Sequence, residues 1–151
     1  MIDPGAAPLV TVAVPARPAQ SGVSGLWTPV HDFVAGPCVL SFRASGVWSY
    51  STTVTCTADG DPASLLQRAR CLFADGPVGA LIGKIGGSSA GVKDGTIFLI
   101  GRAAVVSVDA PGGPLYLTIN DESSGMDNND GAVTVVARIL TSPATLGAPD
   151  A

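Results

Sequence analysis

The chain has 151 residues, enough for one domain with a sizeable core, and 46% of them are apolar against 13% charged. Its net charge of −4 leaves no basic stripe to neutralise phosphates, which excludes nucleic acid as a natural partner and disfavours an anionic membrane surface. Nineteen glycines and twelve prolines suit a turn-rich all-β module, and the apolar fraction is too high for a disordered body.

Residues 1–22, "MIDPGAAPLVTVAVPARPAQSG", read as an N-terminal arm around a short strand, "LVTVAV". The arm lacks the basic opening of a secretory leader, so a cytoplasmic product is expected, with release by another route left open. No apolar run reaches the length of a membrane span. The strongest, "GTIFLIGRAAVVSV", is interrupted by Gly101 and Arg102.

Residues 23–140 read as a single β-sandwich. From "GLWTPV" onward, β-type segments recur: "CVLSFRAS" (38–45), "GVWSYSTTVTCT" (46–57), "GALIGKI" (79–85), "GTIFLI" (95–100), "AVVSVDA" (104–110), "LYLTIN" (115–120) and "AVTVVARIL" (132–140). The separators "DGDP", "DGP", "GGSSAG", "KDG" and "PGGP" carry turn chemistry. "SLLQRARCLF" (64–73) is the one place where a helical turn is expected, and residues 141–151 are expected to be a loose tail. Both "LYLTIN" and "AVTVVARIL" alternate apolar and polar residues, which predicts two neighbouring antiparallel strands.

Several chemistries fail on context. "GSSAG" (87–91) places Ser89 at the nucleophile position of G-x-S-x-G, but that elbow needs a following helix and a downstream histidine. The single histidine, His31, lies upstream and reads as a turn or packing residue. "GALIGKIGG" has Ile85 where a phosphate loop requires Ser or Thr after Lys84. Cys38, Cys56 and Cys71 have no close pairing and read as free thiols, with one disulfide as the alternative. Trp27, Trp48, Tyr50 and Phe73 read as core.

"INDESSGMDNNDGAVTVV" (119–136) is the anomaly: Asn120, Asp121, Glu122, Ser123, Ser124, Asp127, Asn128, Asn129 and Asp130 crowd one connection. A hairpin needs two to five loop residues, whereas roughly ten separate these strands. Calcium takes six to eight oxygens from carboxylates, amides and backbone carbonyls, and would offset the repulsion among the acidic groups. Asp121 is placed to chelate, and Asn128 and Asn129 to present amide oxygens. "DNNDG" is not an EF-hand, since Arg138 stands where the closing Glu belongs. Residue types alone leave a calcium loop and a merely solvated loop both open.

The order "GVWSYS", "GALIGKIG", "LYLTINDESSGMDNNDGAVTVVARI" resembles the soluble, calcium-dependent, galactose-binding bacterial lectins of the PA-IL type, over roughly residues 21–140. The resemblance implies a jelly-roll-like, galactose-binding-domain-like antiparallel β-sandwich in which calcium sits in an end loop and sugar hydroxyls complete its shell. It implies Tyr50 (backbone carbonyl), Asp121, Gly125 (backbone carbonyl), Asn128 and Asn129 as metal ligands. For the sugar it implies Asp121, Glu122, Gly125 and Asn128. Where the family has a His-Pro-x-Gln stretch, this chain has "ADGDPASLLQRARC" (58–71), whose nearest candidates for sugar contact are Asp61 and Gln67. "GVWSY" also shifts the tryptophan by one position from the family's "GWASY". The implied cofactor is Ca2+, the implied partners are galactose-type saccharides or glycoconjugates, and the implied assembly is a homotetramer.

Beside this non-catalytic lectin stand two alternatives. One is a structural or interaction protein on the same sandwich, without sugar binding. The other is a glycosidase pairing Asp121 with a second carboxylate.

Overall fold

The computed structural model describes residues 8–18, 25–62 and 70–141. Eleven strands lie among them: β1 (Val10–Pro15), β2 (Thr28–Ala35), β3 (Cys38–Ser45), β4 (Trp48–Ser49), β5 (Thr55–Cys56), β6 (Asp59–Asp61), β7 (Val78–Ile85), β8 (Thr96–Leu99), β9 (Ala103–Val108), β10 (Gly112–Ile119) and β11 (Asp130–Thr141). They form two antiparallel sheets. In the first, β11 lies between β1 and β3, β9 continues beyond β3, and the β4–β5 pair extends the start of β11. In the second, β10 is flanked by β2 and β7, and β7 carries β6 and β8 along its outer side. The all-β sandwich read from turn spacing is the fold observed.

Period-two patterning builds the interior. Val133, Val135 and Ala137 of β11 and Leu115, Leu117 and Ile119 of β10 are all fully buried. The aromatic rings of Phe42 and Phe98, from opposite sheets, meet with centroids 5.9 Å apart. The expected partnership of β10 and β11 is not observed, however. They belong to opposite sheets, and β11 pairs with β1, β3 and β4 instead. Their inward faces were assigned correctly, but shared patterning cannot distinguish two strands side by side from two facing each other across a core. The ten residues 120–129 therefore cross between sheets packed about 10 Å apart. Crossing accounts for the length of the connection. It does not account for its oxygens.

The "LVTVAV" segment is integral to the first sheet: β1 pairs with β11 over six positions and Val14 is fully buried. The expected segment 46–57 is two short strands. Ser51 Oγ accepts hydrogen bonds from the amides of Thr53 and Val54, which turns the chain between them. The predicted helical turn (64–73) and the tail (141–151) fall largely outside the described residues.

Strand β7 is buried on both faces, in keeping with a run that is apolar but for Lys84. Its outer face is covered by Leu26, Trp27 and the 86–95 loop. Thr118 Oγ1 donates to the Leu26 carbonyl (2.8 Å), and the Trp27 amide donates to the Ser89 carbonyl (3.2 Å). Lys84 is fully buried in this layer. Its ammonium donates to Ser88 O (2.6 Å), Gly91 O (3.1 Å) and Asp94 Oδ1 (2.6 Å), and lies 4.7 Å from the Trp27 ring centroid and 5.2 Å from that of Tyr116. The "GKIGGSSAG" stretch is thus a loop wrapped around its own lysine. Strands flank it on both sides, so neither a nucleophile elbow nor a phosphate loop forms. His31 Nδ1 accepts from the Phe33 amide within β2. None of the three cysteines is in a disulfide, and burial pushes the Cys56 thiol up to about 11.

Candidate metal and ligand site

The oxygen-rich connection begins where β10 leaves its sheet. Asn120 is fully buried: its Nδ2 donates to Phe73 O, Gly76 O and Pro77 O, and its Oδ1 accepts from the Phe73 amide at 2.9 Å. This one side chain staples the 73–77 turn onto β10. The Leu72 amide also donates to Asp121 O, and Cys71 bridges to Glu122. Asn120→Ala removes these bonds and leaves the Phe73 amide without its acceptor and Gly76 O without its donor. It is expected to cost about 3 kcal/mol, read as a lower urea midpoint with an unchanged slope.

Beyond Asn120 the chain turns tightly, with the Gly125 amide donating to Glu122 O at 2.9 Å. A 3-10 turn, Met126–Asn128, follows, with Met126 plugged into the core. Asn129 then extends into β11. Asp121 and Asn129 both end up buried, with 3% and 2% of their surface exposed. Asp121 Oδ1 accepts the Glu122 amide at 2.7 Å, and Asn129 Nδ2 donates to Ala16 O at 2.9 Å. The remaining oxygens, Asp121 Oδ2 and Asn129 Oδ1, are buried and have no hydrogen-bond donor in the protein. Burial drives the Asp121 carboxyl above its ordinary range. The Glu122 amide and the nearby Asn129 amide lower it, and the Glu122 charge adds a smaller upward push.

The other candidates distribute around this pair. Gly125 lies against the Asp121 carboxylate: a Cβ there would stand 3.6 Å from Asp121 Oδ1. The ladder that pairs Gly131 with Trp48 and Asp130 with Ser49 ends just before Tyr50 and Asn129. The side chain of Tyr50 reaches away from that point, and its hydroxyl donates to Asp61 Oδ2 at 2.7 Å. Its ring crosses Gly79, where an added Cβ would sit 3.0 Å from Tyr50 Cδ2 and 2.7 Å from Cys56 Sγ at a φ of +86°. Glycine is required there by both space and backbone. Trp48 is also buried, its indole donating to Gly79 O at 2.7 Å, so the shifted tryptophan is a core residue. Asn128 and Glu122 stand nearer solvent, Asn128 exposed and Glu122 half-buried. Gln67 lies outside the described residues.

Ala16 escaped the sequence reading, and Asn120 entered it only as one of the crowded oxygens. Ala16 fixes the Asn129 amide through a carbonyl 113 residues away, and Asn120 holds the 73–77 turn. Ala16 gives no sequence signal, whereas Asn120 signals itself as a polar residue closing an apolar strand.

Among the described residues, no three His, Cys, Asp or Glu side chains gather in one place. The donor set is therefore one buried carboxylate, amide oxygens and backbone carbonyls. That mixture suits a hard ion such as calcium and lacks the thiolates and imidazoles that zinc favours. Two buried acceptors facing no donor are costly unless a cation or an ordered water meets them.

No protein-family model matches the chain, and no curated protein matches it by sequence. Among solved structures it is similar to the EclA N-terminal domain, described as a PllA-like lectin. The TM-score is 0.60 and the identity 16%, covering 87% of this chain and 97% of that domain. The likeness is therefore one of fold: this chain has the β-sandwich architecture of a lectin domain.

Proposed function

We propose that this protein is a calcium-dependent lectin, a binding module without catalysis, whose ligand is a galactose-type saccharide. The observation that carries the proposal is the pair of buried oxygens without donors, Asp121 Oδ2 and Asn129 Oδ1, at the end of the sandwich where three connections converge. Asp121, Asn128, Asn129 and the backbone carbonyls of Tyr50 and Gly125 would hold the ion. Bound calcium would supply open coordination positions for two neighbouring sugar hydroxyls. Asp121 and Asn128 would hydrogen-bond those hydroxyls, and the Glu122 main chain and Gly125 would border them. Tyr50 anchors Asp61 on the side of the site where Asp61 and Gln67 would meet the rest of the sugar. A single monosaccharide buries little surface, so useful avidity would come from several sites in a homo-oligomer.

One observation favours a second reading, a structural or interaction protein with no sugar ligand: the sheet crossing explains the length of the 120–129 connection without a metal. A glycan array separates the two. The lectin reading predicts binding to galactose-terminated glycans in calcium, loss of it in chelator, and recovery when calcium is restored. Array signals that are absent, or indifferent to chelator, favour the interaction protein.

A further inference from the structure

We propose that the outer edge of β9, against which no described strand pairs, is the surface through which two copies of this chain pair, strand to strand, about a two-fold axis at Val105. The inference deepens the expectation of an oligomer by naming its surface, and it does not depend on the calcium site. β9 (Ala103–Val108) closes one side of the first sheet and pairs with β3 over six consecutive positions without a register shift. The Ala44 amide donates to Arg102 O, which fixes the phase of that ladder. Residues 102, 104, 106 and 108 turn their peptide groups toward β3. Ala103, Val105 and Ser107 therefore present N–H and C=O groups to the open edge.

Natural edge strands are guarded by charge, proline, bulges or shortness. The other edges described here have such guards. β1 ends on Pro15, and β2 contains Pro29, Asp32 and two register shifts. β5, β6 and β8 are two, three and four residues long. β9 has six residues, "AAVVSV", with no charge, proline or bulge, and Val105 is 67% exposed. Beside it, a cavity of about 180 Å³ opens between the β8 and β9 edges over Ile85, Phe98 and Val108. Among the described residues, this flank is left open both along its backbone and between its layers.

The edge is self-complementary. An antiparallel copy centred on Val105 sets Val105 against its own counterpart and Ala103 against Ser107, so that every outward N–H meets an outward C=O. About six backbone hydrogen bonds result, and no like charges oppose one another. Only registers pairing outward residues with outward residues satisfy both edges, and the one through Val105 uses all three.

The test is sedimentation equilibrium of the full chain across the micromolar range, with Val105→Lys and Val105→Cys variants. Wild type should run as a dimer or larger even-numbered oligomer, and Val105→Lys should halve its mass with an unchanged circular dichroism spectrum. Residues opposed in a hydrogen-bonded pair are about 5.5 Å apart at Cα, within disulfide reach. Val105→Cys should therefore form a covalent dimer without reductant, whereas Thr11→Cys, on β1, should not. A wild-type monomer throughout, an unchanged mass for a folded Val105→Lys, or no crosslink through Cys at 105 would each overturn the proposal. The crosslink decides the matter if the lysine variant misfolds.

Discussion

Replacing Asp121 by Asn is expected to abolish the rise in melting temperature that the proposed calcium site predicts, and to leave the metal-free protein at least as stable as wild type. The reasoning starts from Asp121 Oδ2, a buried carboxylate oxygen with no donor, beside Asn129 Oδ1, a second acceptor in the same condition. Without metal both oxygens lack a donor and forgo hydration. An asparagine removes the charge, and its amide nitrogen gives Asn129 Oδ1 a donor. With calcium, wild type gains whatever the ion contributes on binding, which is about 2.7 kcal/mol when calcium is present at a hundred times its dissociation constant. For a chain of this size that is a rise of roughly 5–10 °C. The variant should show almost none. A variant that melts well below metal-free wild type would make Asp121 structural and remove it from the site.

The same carboxyl sets a pH dependence. Because its folded pKa is raised, its protonated form favours the folded state. That contribution is fully present below the unfolded value and is lost as pH rises through the folded value. Metal-free wild type should therefore gain stability relative to Asp121→Asn as pH falls through the mildly acidic range, and calcium should bind less tightly over that range. Asp59 and Asp94 are shifted down, so their contributions run the other way. Both remain in the variant, so the difference between the two proteins isolates Asp121. An identical pH profile for the two proteins would contradict this assignment.

The second large effect is expected at Lys84. Its ammonium meets three oxygens and two aromatic faces inside the layer that covers β7. Lys84→Met keeps most of the volume and removes the charge. It leaves the Gly91 carbonyl without its donor, the Ser88 carbonyl with only the Gly91 amide, and Asp94 without its cation. Hydrogen bonds to a charged group typically contribute about 1.5–3 kcal/mol each, and two of the three here end on backbone carbonyls of the covering loop. Asp94 is 44% exposed and can regain water, which sets the expectation at the low end for those two bonds, about 3 kcal/mol. The melting temperature should fall by about 10 °C. Hydrogen exchange should show the loosening first in the 86–95 loop and at the Trp27 amide. An unchanged melting temperature would mean that the loop holds itself without the lysine.

Much of this architecture is legible in the sequence because it rests on local rules. Alternation in "LYLTIN" and "AVTVVARIL" marks inward faces correctly, and Gly- and Pro-bearing turns delimit β3, β7, β8 and β9 to within a residue or two. Sheet membership is not legible, because β10 and β11 carry the same period whether they lie beside or opposite each other. Residue type alone marks Asp121 and Asn129 as oxygen donors, and the structure finds both buried. Convergence is not legible: Ala16 acts through a backbone carbonyl, and Tyr50 reaches Asp61 only because Gly79 leaves space for its ring. Lys84 was weighed as a phosphate ligand and set aside. Its actual role depends on a loop folding back four to ten residues later, which no spacing rule encodes.

The central claim is that the buried oxygens of Asp121 and Asn129 exist to meet a divalent cation, and calorimetric titration of calcium into chelator-treated protein tests it most directly. The predicted result is a saturable heat with one ion per chain, absent in Asp121→Asn. No heat at millimolar calcium, with no accompanying change in melting temperature, would contradict it and leave a β-sandwich whose end loop is merely polar.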